Sequence, residues 1–538
     1  MPHFSLQRRD FLQKSMASAA VFLGAACSGT QRPEDQPFEL AEATVATLRQ
    51  RLESGQDTAA SLVEKYLTRI DAIDRNGPGI NCVSEVNPDA LAIARRLDSE
   101  RRAGKIRGPL HGIPIVIKDN IDTADRMMTT AGSLAMVGAT PLADAELVAA
   151  LRAAGVVILA KTNLSEWAHF RSFYHATSGW SGRGGLSRNP YMLDRSTSGS
   201  SSGTAGAVCS NLAAIGIGTE TDGSIVSPSS CCGLVGIRPT VGLVSRKGII
   251  PGGQSQDTAG PMARTVTDAV LLLNVMVAAA EEGSVAGQSR PVPVPDYTTF
   301  LEPDGLQSAR IGVVRQVLFG YSPPADLIAE NALEILESEG ATLVDPANIA
   351  TISQLAEPEM EVMLYEFTDG INAYLASLGP GAPVRSLGDI IAFNEENRDR
   401  EMPFFGQETM LEAAEKGPLT SPAYVNARKQ CLDLSRRFGI DATMEQHGLD
   451  ALVAPSGDPA CVIDLVNGDG NNGWSSTAAA VAGYPHITVP AGQAHGLPVG
   501  LSFFGRAWSE PTLIRLAYAF EQATAQRRPP QFLPTVAV

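Results

Sequence analysis

Residues 113–117 read Ile-Pro-Ile-Val-Ile, an unbroken apolar run set between Gly112 and Lys118-Asp119-Asn120. A strand with one wet face alternates polar and apolar residues. A run without alternation is buried on both faces, as in a parallel sheet covered by helices. The run therefore predicts a central strand of an α/β fold. Its surroundings agree. Apolar residues at 3 and 4 spacing predict helices over 40–52, 58–74, 89–103, 144–154, 327–338 and 511–525, with longer helical stretches over 352–378 and 421–446. Short apolar runs predict strands near 156–160, 215–218, 311–314, 451–454, 487–490 and 499–504. Residues 179–260 are rich in Gly, Ser and Thr, interrupted by an apolar helix over 205–214. Alternating elements without an internal linker or repeat point to one α/β domain around an extended sheet.

Composition narrows the function. The 538 residues carry 42 Lys+Arg against 58 Asp+Glu, a formal net charge of −16. No basic cluster offsets it, so phosphate backbones and anionic lipid are repelled and no nucleic-acid partner is expected. The seven cysteines, at 27, 82, 209, 231, 232, 431 and 461, form no Cys-x-x-Cys pair and no zinc-type Cys/His spacing. They are expected as buried small hydrophobes, with no structural metal.

The N-terminus has the order of an export signal. Gln7-Arg8-Arg9-Asp10-Phe11-Leu12-Gln13-Lys14 is a twin-arginine pattern, followed by an apolar run from Met16 to Ala26. That run is too short to span a bilayer and suits a signal peptide, so no transmembrane span is expected. Residues 1–26 are read as the signal, 27–39 as a linker and 40–530 as the folded domain. The expected location is the periplasm or the medium. Gly24-Ala25-Ala26-Cys27 has the small residues of a lipobox, although Leu23 stands one place early, so a lipid anchor at Cys27 is the alternative.

Three segments carry candidate chemistry. Lys118 is one of only eight lysines and ends the buried run. Desolvation there would favour its neutral amine, a proton acceptor; the alternative is a lysine that snorkels to solvent at the sheet edge. Ser196-Thr197-Ser198-Gly199-Ser200-Ser201-Ser202-Gly203 runs straight into an Ala-rich helix, which a flexible linker would not do. Gly218-Thr219-Glu220-Thr221-Asp222-Gly223-Ser224-Ile225 follows a strand. Such a turn can aim several N–H groups at one point beside Ser224, or can be merely a tight structural turn. Gly199-Ser200-Ser201-Ser202-Gly203 also fits the G-x-S-x-G elbow of α/β-hydrolases. That elbow needs an apolar strand before it, and residues 189–195 are no such strand.

Together with Gly108-Pro109-Leu110-His111-Gly112 ahead of the buried run, these segments resemble the amidase signature family. Gly233-Leu234-Val235-Gly236-Ile237-Arg238-Pro239-Thr240, Asp257-Thr258-Ala259-Gly260-Pro261-Met262-Ala263-Arg264 and Gly496-Leu497-Pro498-Val499-Gly500-Leu501 extend the likeness over nearly the whole chain, with a signature core at about 108–264. The variant turn looks most like the exported bacterial peptide amidase branch. The resemblance implies a mixed, twisted β-sheet of about eleven strands covered by helices, in a single α/β domain. It also implies hydrolysis of carboxylic or C-terminal peptide amides through an acyl-enzyme, with no cofactor. On this sequence the family's nucleophile falls on Ser224, its cis-peptide serine on Ser200 and its base on Lys118. Backbone N–H groups of Thr221, Asp222, Gly223 and Ser224 would form the oxyanion hole.

The turn departs from the common Gly-Thr-Asp-x-Gly-Gly-Ser-Ile-Arg pattern. Glu220, Asp222 and Val226 stand at its Asp, first Gly and Arg positions, which leaves the partner of Glu220 open. Asp is among the residues that tolerate φ > 0, so it can replace that glycine. Trp167, Phe170, Phe173 and Tyr174 are candidates to line the acyl site or are ordinary core aromatics, and residues 270–450 are expected to shape the pocket. The alternatives to an exported amidohydrolase are the glutaminase-like subunit of a tRNA-dependent amidotransferase, or a catalytically silent periplasmic binding protein on the same fold.

Overall fold

The computed structural model describes residues 38–277, 284–285, 288–289, 296–470 and 473–537. The signal, the lipobox cysteine and nearly all of the linker read from the sequence lie outside the described residues.

Eleven strands form one sheet. In chain order they are β1 (Val83–Val86), β2 (Pro114–Lys118), β3 (Val157–Thr162), β4 (Ile215–Glu220), β5 (Val235–Arg238), β6 (Thr258–Ala263), β7 (Arg310–Val313), β8 (Thr342–Val344), β9 (Ala451–Pro455), β10 (His486–Ala494) and β11 (Leu497–Phe504). Across the sheet they run β1-β3-β2-β4-β6-β5-β10-β11-β9-β7-β8. β3, β2 and β4 are mutually parallel, as are β9, β7 and β8, and every other neighbouring pair is antiparallel. The expected single α/β domain with a mixed sheet of about eleven strands is what the chain adopts.

All five residues of β2 are buried, as the unbroken apolar run requires. Its register against β4 pairs Ile115 with Ile215 and Ile117 with Ile217. The chain leaves β2, passes through the helix Glu146–Ala153 and returns as β3 on one side. It then crosses to the other side as β4. The strand order thus reverses at β2, and in open α/β sheets a crevice forms at the carboxyl ends of strands at such a point. Lys118 and the turn after Glu220 occupy those ends.

The serine-rich run is itself the start of a helix. α1 spans Ser202–Cys209, shorter and earlier than the apolar pattern suggested. A Cβ on Gly203 would stand 2.3 Å from the Cys82 carbonyl oxygen, and one on Gly206 2.2 Å from the Cys82 sulfur. Those glycines let α1 lie close against β1. α2 (Val226–Cys231) follows the second turn. β5 and β6 lie in the stretch that looked merely Gly- and Ser-rich. Val-Gly-Ile-Arg and Thr-Ala-Gly-Pro-Met-Ala carry breakers, and antiparallel pairing overrides them. Cys82, Cys209, Cys231, Cys232 and Cys431 are buried free thiols and Cys461 is partly buried, in line with a packing role.

A 22-residue helix, α3 (Ala356–Ser377), packs against the loop residues Ala131, Phe170 and Ile250. It is anchored by Phe367, which stacks on Phe170 with ring centroids 4.9 Å apart. No helix among the described residues is long and apolar enough to cross a membrane.

Candidate active site

A cleft of about 440 Å³ opens between the two serine turns, α3 and the loop residues Asn467, Asp469, Trp474 and Ser476. Ser200, Thr221, Asp222, Gly223 and Ser224 all line it. Lys118 lies behind Ser200 with no exposed surface. Its Nζ is 2.7 Å from Ser200 Oγ and donates to the Thr219 carbonyl at 3.1 Å. The lysine is therefore a buried residue, and the snorkelling alternative does not hold. Burial lowers its pKa to about 7, against the opposing pull of the Asp257 and Glu220 carboxylates. A large neutral fraction at neutral pH follows.

The two turns are tied together by a hydrogen bond from the Ser201 N–H to the Ser224 carbonyl, 3.2 Å. The Gly199–Ser200 peptide is cis. Ser201, the middle residue of the elbow pattern, has no exposed surface. Its hydroxyl donates to the Thr219 carbonyl at 3.0 Å and accepts from the Thr219 N–H at 3.2 Å. It is spent on holding α1 to β4. Ser224 keeps some exposure, 8%, and faces the cleft.

Glu220 finds its partners within the turn. It forms a fully buried ion pair with Arg238 at 3.5 Å, and its Oε2 accepts from the N–H groups of Ile225 and Val226 at 2.6 and 3.0 Å. The carboxylate thus caps α2, which lacks a capping hydroxyl, and fixes the chain on both sides of Ser224. Arg238 comes from β5, so a neighbouring strand supplies the partner that the sequence leaves open. Within the turn Gly223 is left-handed at φ 73°, whereas Asp222 is not among the positive-φ residues. Tolerance of φ > 0 is therefore not what admits Asp222.

The sequence missed several cleft residues. Glu359 and Met363 reach it from α3, and His169, Asp469 and Trp474 from loops. Burial first, and then the Asp222 charge, push the Glu359 carboxyl well above its ordinary range, while Gln256 Nε2 donates to it at 2.7 Å. On a helix with surface acids, Glu359 looks like a solvated residue, and nothing in the sequence marks it. Of the four aromatics left open between cleft and core, Phe170 and Phe173 line the cleft while also packing into a core cluster. Trp167 packs into the core instead, and Tyr174 points outward to Glu412. Within the expected pocket-shaping range 270–450, α3 contributes; Asn467, Asp469, Trp474 and Ser476 lie beyond it. Trp167, Ala168 and His169 are consecutive left-handed residues with φ of 54°, 55° and 82°. Each costs about 1–2 kcal/mol, and the turn is held by Trp167 N–H to the Ala131 carbonyl and by Phe170 packing on α3.

Among the described residues no group of three or more His, Cys, Asp or Glu side chains is arranged to hold a metal ion.

Comparison with known proteins agrees with this architecture. The family pattern named Amidase matches residues 61–514. A protein of Arabidopsis thaliana named as a probable amidase is 40% identical over 515 residues, covering 94% of each chain. A glutamyl-tRNA(Gln) amidotransferase subunit from Chloroflexus aurantiacus is 35% identical over 500 residues, 90% of this chain and 97% of that protein. The crystal structure of native peptide amidase from Stenotrophomonas maltophilia superposes with a TM-score of 0.87 at 49% identity, covering 92% of this chain and 100% of that one. With the family matched over most of its length, the chain belongs to the amidase family and is an amide-hydrolysing enzyme.

Proposed function

We propose that the enzyme hydrolyses the C-terminal carboxamide of peptides through an acyl-enzyme on Ser224. The observation that carries this reading is the 2.7 Å contact between Lys118 and Ser200 at the edge of the cleft that holds Ser224. A serine hydroxyl is a weak nucleophile until its proton is removed. Neutral Lys118 takes the Ser200 proton as Ser200 takes that of Ser224, whose oxygen attacks the carbonyl carbon. The N–H groups of the 221–224 turn stabilise the oxyanion. The proton then returns through Ser200 to the departing nitrogen, and water releases the acid from Ser224 by the same relay.

Charge in the cleft supports the choice of substrate. No Lys or Arg is among its described lining residues, whereas Asp222 and Asp469 are. A neutral carboxamide terminus suits such a site, and a free carboxylate does not. Glutamine carries a carboxylate that would need a cationic partner, which disfavours the amidotransferase-type reading. The homologous peptide amidase points the same way. We further propose that the protein is exported, on the order of residues 7–26 described above.

The test is a panel of one peptide as its C-terminal amide and as its free acid, with free glutamine alongside. Turnover of the amide and none of glutamine is expected, with the acid a weak competitor. Comparable hydrolysis of glutamine would overturn the peptide-amide reading in favour of a glutaminase.

A further inference from the structure

A second hollow of about 160 Å³ adjoins the cleft and shares Ala168 and Thr221 with it. It runs from a mouth at half-buried Arg246 and exposed Gln254 to an inner end at Asn120 and Thr219, along walls that include Ile249, Pro251 and Asp257. The inner end is beside the base. Asn120 stands two residues after Lys118, and the Thr219 carbonyl accepts from Lys118 Nζ.

Asn120 is 2% exposed. Its Nδ2 donates to Thr219 Oγ1 at 3.0 Å, but its Oδ1 is buried with no hydrogen-bond partner. A buried acceptor left unmet costs free energy, so a ligand that brings an N–H or O–H is favoured there. The walls narrow the choice. Asp257 already accepts from Thr221 Oγ1 and from the N–H groups of Gly252 and Gly253, and the Arg246 guanidinium at the mouth repels a cation. Ile249 and Pro251 suit a short alkyl group. A small, neutral amine matches all of these features.

The geometry points to this hollow as the site of the amine half of the reaction. The inference rests on the acyl-enzyme reading above. When the C–N bond breaks, the nitrogen receives its proton from Ser200 and leaves on the Lys118 side, where Asn120 Oδ1 accepts one of its N–H groups. In reverse, an amine held there attacks the acyl-enzyme carbonyl. The new C–N bond forms, the C–O bond to Ser224 breaks, and the amine's proton passes to Ser224 Oγ through Ser200 and Lys118.

The test is the partition of one acyl-enzyme between water and added methylamine, using a peptide methyl ester as acyl donor. The ratio of N-methyl amide to acid compares two fates of the same intermediate, so it does not depend on how fast a variant acylates. The wild-type ratio should saturate with methylamine concentration, as binding before attack requires. Ile249→Phe, which fills the hollow, and Asn120→Ala, which removes the acceptor, should each raise the half-saturating concentration about tenfold. A ratio that rises linearly without saturation in the wild type overturns the proposal, as does an unchanged half-saturation in Ile249→Phe, whichever way Asn120→Ala behaves. Release of acid from the ester without any dependence on Ser224 would instead overturn the acyl-enzyme reading beneath it.

Discussion

Lys118 Nζ and Ser200 Oγ, 82 residues apart in the chain, lie 2.7 Å apart, the amine fully buried and the serine at the wall of the cleft. The sheet brings Lys118 to the end of β2, and the start of α1 lays Ser200 across it. Burial alone would make the amine neutral, and the nearby hydroxyl gives that neutral amine a proton to take.

The pH dependence follows with a definite sign. A base acts only when deprotonated, and Lys118 has a pKa lowered to about 7. kcat/KM should rise about tenfold per pH unit below pH 7 and level off above it. Lys118→Ala should remove most activity and flatten that limb. Lys118→Arg should be equally inactive, because a guanidinium stays protonated. Appreciable turnover by Lys118→Arg would remove Lys118 from the role of base.

Ser224 and Ser201 should separate cleanly. Ser224→Ala should lose several orders of magnitude in kcat with an unchanged Tm. Ser201→Ala leaves the buried Thr219 N–H without its partner and should cost about 1–3 kcal/mol of stability by urea unfolding while keeping measurable turnover. The opposite pattern would restore the hydrolase-elbow assignment.

The Glu220–Arg238 pair should be structural in its effect. Arg238 also donates to the carbonyls of Glu220, Thr221 and Gln256. Arg238→Met strands a buried carboxylate and should destabilise the protein by about 3–5 kcal/mol in denaturant titration. Stability within about 1 kcal/mol of wild type would show that Glu220 is balanced elsewhere.

Glu166 makes stability depend on pH in the unusual direction. Burial foremost, with the Glu401 carboxyl nearby, raises its pKa to about 8, opposed by Arg171. Between about pH 4.5 and pH 8 the folded state holds a proton that the unfolded state has lost, so this group's contribution to stability falls as pH rises. Glu166→Gln mimics the protonated acid. Its Tm should decline less from pH 5 to pH 8 than that of the wild type, and an identical decline in calorimetry would exclude Glu166 as the group responsible.

Export is testable in cells. Replacing Arg8-Arg9 by Lys-Lys should retain the precursor in the cytoplasm, because paired guanidiniums are the address that the receptor reads. Unchanged amidase activity outside the cytoplasm would refute a twin-arginine route.

Local pattern carried much of the architecture. The run 113–117 announced β2 because burial on both faces leaves no polar residue, and Val157–Thr162 and Arg310–Val313 followed from similar short runs. β5 and β6 were hidden because Gly236, Gly260 and Pro261 look like punctuation, and only pairing with neighbouring strands makes them regular. Glu359, Asp469 and Asn120 were not legible as site residues. A carboxylate on a helix or an asparagine in a loop acquires its meaning from what it faces.

By itself the sequence determined that a lysine ends a buried strand, that two serine turns follow it, and that their spacing resembles that of one family. Those are properties of neighbouring residues, and the chain carries them wherever it goes. The tertiary structure alone decided which serine is free, since Ser201 is held by Thr219 while Ser224 faces the cleft. It also decided that Arg238 answers Glu220 and that Lys118 is half neutral near pH 7. Hydrogen bonding and desolvation act over a few ångströms in space, and residues that lie far apart in the chain become neighbours only when the sheet closes around them.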